Sequence, residues 1–185
     1  DKDRNLRIYE TMLKEGETLE PRHQFYYARE LYYHGRHAEA IQVLEGFLKE
    51  PGAWIENQID ACLHLAYCFE KLGRQEDAMN ALTRSFVYDR PRGEACCELG
   101  KLKMEAGKLE EAVYWYTQAL TLNPDEQSGA FVQRDCYGFL PSIALCLLWA
   151  TEVSWAQVKL VRMPVVEKSG SISSGKSIIR LWRIN

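Results

Sequence analysis

The chain has 185 residues, a formal net charge of −3, 46% hydrophobic residues and 26% charged residues. That is the composition of an ordinary soluble domain, and without a net basic field nothing in it argues for nucleic acid as a partner. No apolar run approaches the roughly 18 residues that cross a bilayer, so no membrane span is expected.

The opening residues, Asp1-Lys2-Asp3-Arg4-Asn5, carry no initiating Met and no signal peptide, and read as a piece of a longer or processed chain. Residues 1–20 are predicted as a leading capping helix, with Leu6, Ile8, Tyr9, Met12 and Leu13 apolar and Gly16 beyond its end. From residue 21 the chain repeats itself. Gly35-Arg36-His37-Ala38-Glu39-Ala40, Gly73-Arg74-Gln75-Glu76-Asp77-Ala78 and Gly107-Lys108-Leu109-Glu110-Glu111-Ala112 share one pattern, with glycines 38 and 34 positions apart. The Gly ends one helix in a left-handed conformation. The acid sits in the first turn of the next helix, where the helix dipole favours it. The Ala lets two antiparallel helices approach. An apolar helix precedes each Gly and a second follows it, with Ile41, Leu44, Phe47 and Leu48, then Ala81, Leu82, Ser85 and Phe86, then Val113, Tyr116, Ala119 and Leu120 at helical spacing. Prolines 51, 91 and 124 are expected to stop the second helices. Three units therefore cover residues 21–54, 59–92 and 93–126, and 136–151 reads as the first helix of a partial fourth, giving a helical stack over 21–151. The four extra residues of the first interval are expected in the loop around Pro51-Gly52-Ala53-Trp54.

This arrangement resembles the tetratricopeptide repeat (TPR) family, whose unit is a helix–turn–helix of 34 residues. The family's small residues match Ala28, Ala66 and Gly100 in the first helices and Ala40, Ala78 and Ala112 in the second. Its large apolar site matches Leu44, Leu82 and Tyr116, and its closing proline Pro124; its early Trp is replaced by Gln24, Cys62 and Cys96. The resemblance implies an all-α solenoid that binds a protein or peptide and has no catalytic residues, metal or cofactor of its own. First helices would line a concave face, placing on it Arg22, Tyr26, Arg29 and Tyr33, then Asp60, His64, Tyr67 and Lys71, then Glu98, Lys101 and Glu105. That mixture of charge suits a partner of mixed charge, and self-association is a further option. The family's clamp for chaperone C-termini is not matched, since Glu94 and Glu98 stand where cations are needed.

A narrower resemblance rests on Asn5-Leu6-Arg7-Ile8-Tyr9-Glu10, on 24–36, on Glu94-Ala95-Cys96-Cys97-Glu98-Leu99-Gly100 and on Asp135-Cys136-Tyr137-Gly138-Phe139. These strings are similar to the repeat segment that follows the catalytic domain of some bacterial family 2 glycosyltransferases. The sugar chemistry would then reside in another domain, itself a candidate partner. Asp1-Lys2-Asp3 has the letters of that domain's metal motif but lacks the strand before it.

The six cysteines form no C-x-x-C pair and fall mostly in apolar helical stretches, which points to reduced structural thiols and a cytoplasmic setting. His34 and His37 flank a turn without further ligands. Residues 152–185 are a divergent basic tail: from 153 onward the chain has six basic residues and one acid, Glu167. Either it is read out of the ancestral frame or it is a natural extension docked on the acidic body. Gly170-Ser171-Ile172-Ser173-Ser174-Gly175-Lys176-Ser177 spells a phosphate-loop string, the basis of an alternative nucleotide-binding reading. The strand and magnesium-binding acid that such a loop needs are missing from the sequence around it. Val165-Val166 and 178–182 are a candidate hairpin.

Overall fold

The computed structural model describes residues 1 and 3–150; the basic tail, its phosphate-loop string and the hairpin expectation lie outside the described residues. The described residues form eight α-helices and no strand: α1 Arg4–Lys14, α2 Pro21–Tyr33, α3 His37–Phe47, α4 Ile55–Lys71, α5 Gln75–Arg84, α6 Gly93–Glu105, α7 Leu109–Thr121 and α8 Phe139–Ala150. Short 3-10 turns at Ser85–Val87 and Arg134–Tyr137 precede α6 and α8. The helices pack as hairpins α2/α3, α4/α5 and α6/α7, each stacked on the next, with α8 against α7. This is an all-α helical solenoid.

The repeated hexapeptide makes the tight turn of each hairpin. Gly35, Gly73 and Gly107 adopt φ of 74°, 72° and 72°. The following N–H then reaches back over a full turn: Arg36 to the Leu31 carbonyl at 2.9 Å, Arg74 to Phe69 at 2.8 Å and Lys108 to Lys103 at 2.9 Å. The basic residue after each Gly pairs with the acid three positions on, as Arg36 with Glu39 and Arg74 with Asp77, and more loosely Lys108 with Glu111 at 3.9 Å. Ala28, Ala40, Ala66, Ala78 and Ala112 are fully buried where the helices cross.

Two expectations need correction. The second helices end before their prolines, α3 at Phe47, α5 at Arg84 and α7 at Thr121. The chain between α3 and Pro51 tightens into turns instead, with Lys49 and Glu50 donating to carbonyls three residues back at 3.0 Å. The extra four residues of the first interval are not in a loop either. α4 has 17 residues where α2 and α6 have 13, and the surplus lies at its N-terminus. Four residues are close to one helical turn, so α4 grows by a turn that satisfies its own backbone and leaves Cys62 and Ala66 in repeat register.

The core runs along the stack. Phe25, Leu44, Phe47, Leu65, Leu82, Leu99 and Leu102 bind the three hairpins together. Tyr116, Cys97, Cys136, Leu145 and Leu148 join the third hairpin to α8. At the other end Leu6 of α1 meets Leu19, Tyr27 and Leu31, and His34 Nε2 holds Asp3 at 3.0 Å. The helix expected over 136–151 is divided: a 3-10 turn at Arg134–Tyr137, then α8 from Phe139, which buries Pro141, Leu145 and Leu148 and exposes Phe139, Leu140 and Ile143.

Candidate functional site

The first helices of the hairpins present one face, and among the described residues one segment after α7 crosses it. After α7 residues 129–133 run back as a strap beside α4 and α6. The carboxylate of Glu94 near the start of α6 fastens it: Oε1 accepts the Gln133 N–H at 2.8 Å and Oε2 accepts the Tyr137 hydroxyl at 2.7 Å. Burial first, then this hydrogen bond, hold the Tyr137 phenol above its usual pKa. The fit is close at Gly93, where an added Cβ would lie 2.9 Å from the Cys136 carbonyl oxygen and 3.0 Å from the Tyr137 ring. Arg92 beside it is held by both oxygens of Glu56 at 2.7 and 3.0 Å and by Asp89 at 3.0 Å.

Between the strap and the N-terminal halves of α2 and α4 lies a cavity of about 280 Å³. Phe25, Tyr26, Trp54, Leu63 and Phe131 supply its apolar walls, and Arg29, Glu56, Asn57, Asp60, Ser85 and Arg92 are polar groups of its lining outside the strap. Arg29 donates to the Tyr33 hydroxyl at 3.1 Å and stacks over Phe25, Tyr26 and Tyr33. Among the described residues no carboxylate lies within ion-pair distance of it.

The predicted groove residues divide three ways. Tyr26, Arg29 and Asp60 converge on the cavity, and Arg22 stacks over Tyr26 at 5.8 Å. His64, expected to face a partner, is 7% exposed. Its ring packs on Phe25, Tyr32 and Tyr67, and its Nδ1 lies 2.9 Å from the Asp60 carbonyl oxygen. Burial raises the Tyr67 phenol well above its ordinary pKa. Glu98 and Lys101 are likewise engaged internally, since the Lys101 ammonium bridges Glu98 and, at 2.8 Å, Glu70. Burial raises the Glu98 carboxyl above its ordinary value, with Lys101 opposing. Tyr33, Lys71 and Glu105 stand exposed near the C-terminal ends of their helices, away from the cavity.

Sequence reasoning missed Trp54, Glu56, Asn57, Arg92, Glu94 and the whole strap. One signal was present: Trp54, Glu56 and Asn57 belong to the surplus turn of α4 and its cap. The strap residues carry no repeat pattern, so periodicity is silent on them.

Two tetratricopeptide repeat family models match the chain, one over residues 93–126 and one over residues 60–85. No curated protein and no solved structure matches it. The matched segments contain α6/α7 and most of α4/α5, and α2/α3 repeats their geometry. Repeats of this kind stack into extended concave surfaces that generally bind proteins or peptides.

Proposed function

We propose that the chain is a protein-binding scaffold whose capture surface is the N-terminal half of the concave face, around Tyr26, Arg29 and Asp60. One observation carries this reading: these three side chains converge on an aromatic-lined cavity, while Glu98 and Lys101 farther along are neutralised within the fold. Aromatic rings beside an arginine are frequent anchors at interfaces. Arg29→Glu combined with Tyr26→Ala should weaken partner capture at least tenfold while the helical signal is kept. Unchanged capture would move the site elsewhere.

The finer form of the proposal is that the scaffold belongs to a bacterial family 2 glycosyltransferase and acts in the cytoplasm, with the catalytic domain of that enzyme as one partner. The support is the set of sequence strings around Asn5–Glu10 and in 24–36, 94–100 and 135–139. A catalytic domain of that class added in trans should bind the chain, and the Arg29→Glu, Tyr26→Ala variant should bind it less. In the alternative adaptor reading the partner is a separate protein, and the same variant separates the two once each candidate is in hand.

A further inference from the structure

Residues 129–133 line the same cavity as Tyr26, Arg29 and Asp60, yet they are lightly attached to it. Gly129 and Phe131 are exposed, Phe131 by 89%, and Ala130, Val132 and Gln133 are half-buried. The turn before them closes on itself, with the Ser128 hydroxyl donating to the Asp125 carbonyl at 2.9 Å and the Ala130 N–H to Ser128 Oγ at 3.3 Å. Arg134 beyond them pairs with Glu126 at 2.9 Å. Gln133 ties the strap to the helices: its N–H donates to Glu94 Oε1 at 2.8 Å, and its side chain meets the Tyr67 hydroxyl. Fixed packing resumes at Cys136, which is 4% exposed and whose carbonyl accepts from Cys97 Sγ at 3.4 Å. A segment with so little apolar burial opens at small cost.

The carboxylate that latches it is suited to a stronger partner. The charged side chains lining the cavity are Arg29 and Arg92 against Glu56, Asp60 and Glu94, one acid in excess. Arg92 is already shared by Glu56 and Asp89, and Asp60 lies 3.3 Å from His64 Nδ1. Glu94 is 9% exposed, and the donors it receives from Gln133 and Tyr137 are both neutral. A buried carboxylate is better compensated by a cation, because a bond charged at both ends is stronger than one to a neutral donor. Arg134 adjoins Gln133 in sequence, but Glu126 engages it.

Resting on the protein-binding reading above, we propose that the strap is an intramolecular stand-in for part of the partner, and that a lysine or arginine side chain of the partner displaces residues 129–133 from Glu94. Tyr137 stays on Oε2, held by the packing of its neighbour Cys136, so the movement is confined to the strap. The capture surface then has charged groups of opposite sign on separate helices, Arg29 on α2 and Glu94 on α6, and the partner is basic where it meets α6.

The test is a titration of the full chain with N-acetyl-L-argininamide, followed by the backbone amide resonances of Glu94 and Gln133 and by hydrogen exchange of the Gln133 amide. Saturable shifts at millimolar probe and faster exchange at Gln133 are expected. N-acetyl-L-citrullinamide, the neutral isostere, should produce neither at matched ionic strength. Glu94→Gln should abolish the response. Gln133→Pro removes the N–H that Glu94 accepts, at a φ of −85° close to the range of proline. It should tighten the argininamide probe by about tenfold, as expected when a competing hydrogen bond to a charged group is lost. Circular dichroism checks that both variants stay helical, and the comparison of the two probes on the unaltered chain needs no variant. Four results would each overturn the proposal: no saturation, an equal response to the citrulline probe, unchanged exchange at Gln133 under saturating probe, or unchanged affinity in a helical Gln133→Pro chain. If the probe fails while Arg29→Glu with Tyr26→Ala still abolishes partner capture, the latch is wrong and the scaffold reading stands. If that variant captures normally, the scaffold reading itself fails.

Discussion

Gly100 and Tyr116 are one packing decision made differently from its two precedents. Seven residues before and nine after each turn glycine, the first two units carry Ala28 with Leu44 and Ala66 with Leu82, whereas the third carries Gly100 with Tyr116. A Cβ built on Gly100 would lie 2.9 Å from three atoms of the Tyr116 ring, well inside the roughly 3.5–4.0 Å of a comfortable carbon contact. Three equal distances mean that the ring lies face-on against the glycine, and at 5% exposed it has no room to retreat. Overpacking of this kind costs about 1–3 kcal/mol, and the helical preference of Ala over Gly returns about 0.5–1 kcal/mol. Gly100→Ala should therefore destabilise by about 0.5–2 kcal/mol. Tyr116→Leu alone should cost about 2 kcal/mol through the space left behind. The double variant recreates the pairing of the first two units and should recover at least about 1 kcal/mol relative to the sum. Urea unfolding followed by far-UV circular dichroism measures all three. A stabilising Gly100→Ala, or additivity to within about 0.5 kcal/mol, would refute the reasoning.

Two further predictions concern ionisable groups. Burial raises the thiols of Cys62, Cys68 and Cys96 to about 12 from 9, so at neutral pH they are about a thousandfold less ionised than a free thiol. Cys146 is exposed, and mass spectrometry after brief iodoacetamide treatment should find it labelled while those three react only once urea unfolds the chain; rapid native labelling of Cys62 would contradict the packing. His34 is raised above 6.5, first by its contact with the Glu30 carbonyl and then by Asp3. A raised folded value means that protonation favours the docked α1: the contribution is complete below pH 6.5 and is lost as pH rises through the folded value. The His34 ring should titrate above 6.5 by NMR and move down in Asp3→Asn; an unchanged midpoint would remove Asp3 from the account.

The hairpin stack was legible because its determinants are local and repeated. A glycine that needs a positive φ, a basic residue paired with the acid three positions on and an alanine at the crossing recur in order, so three weak signals reinforce one another. The polar readings were less secure for a physical reason. Helical phase puts His64, Tyr67, Glu98 and Lys101 on the inward-curving side, but phase is silent on what stands opposite. His64 is closed in by Phe25, Tyr32 and Tyr67, and Lys101 by Glu70 and Glu98. Of those partners Phe25, Tyr32 and Glu70 come from neighbouring units, whose stacking distance no single repeat encodes.

The departure from the repeat is where the site arises. With a 34-residue interval throughout, α4 would begin a turn later and end up as long as α2 and α6. Trp54, Glu56 and Asn57 would then have no helix to carry them. Glu56 holds Arg92, which stands directly before α6; Glu94, two residues on, holds the strap; and the strap roofs the cavity into which Asn57 faces. One surplus turn is thus linked through the Glu56–Arg92 ion pair to the segment that roofs the cavity. Local regularity builds the scaffold, and the place where a sequence breaks its own rule without loss of register is the place to expect a site.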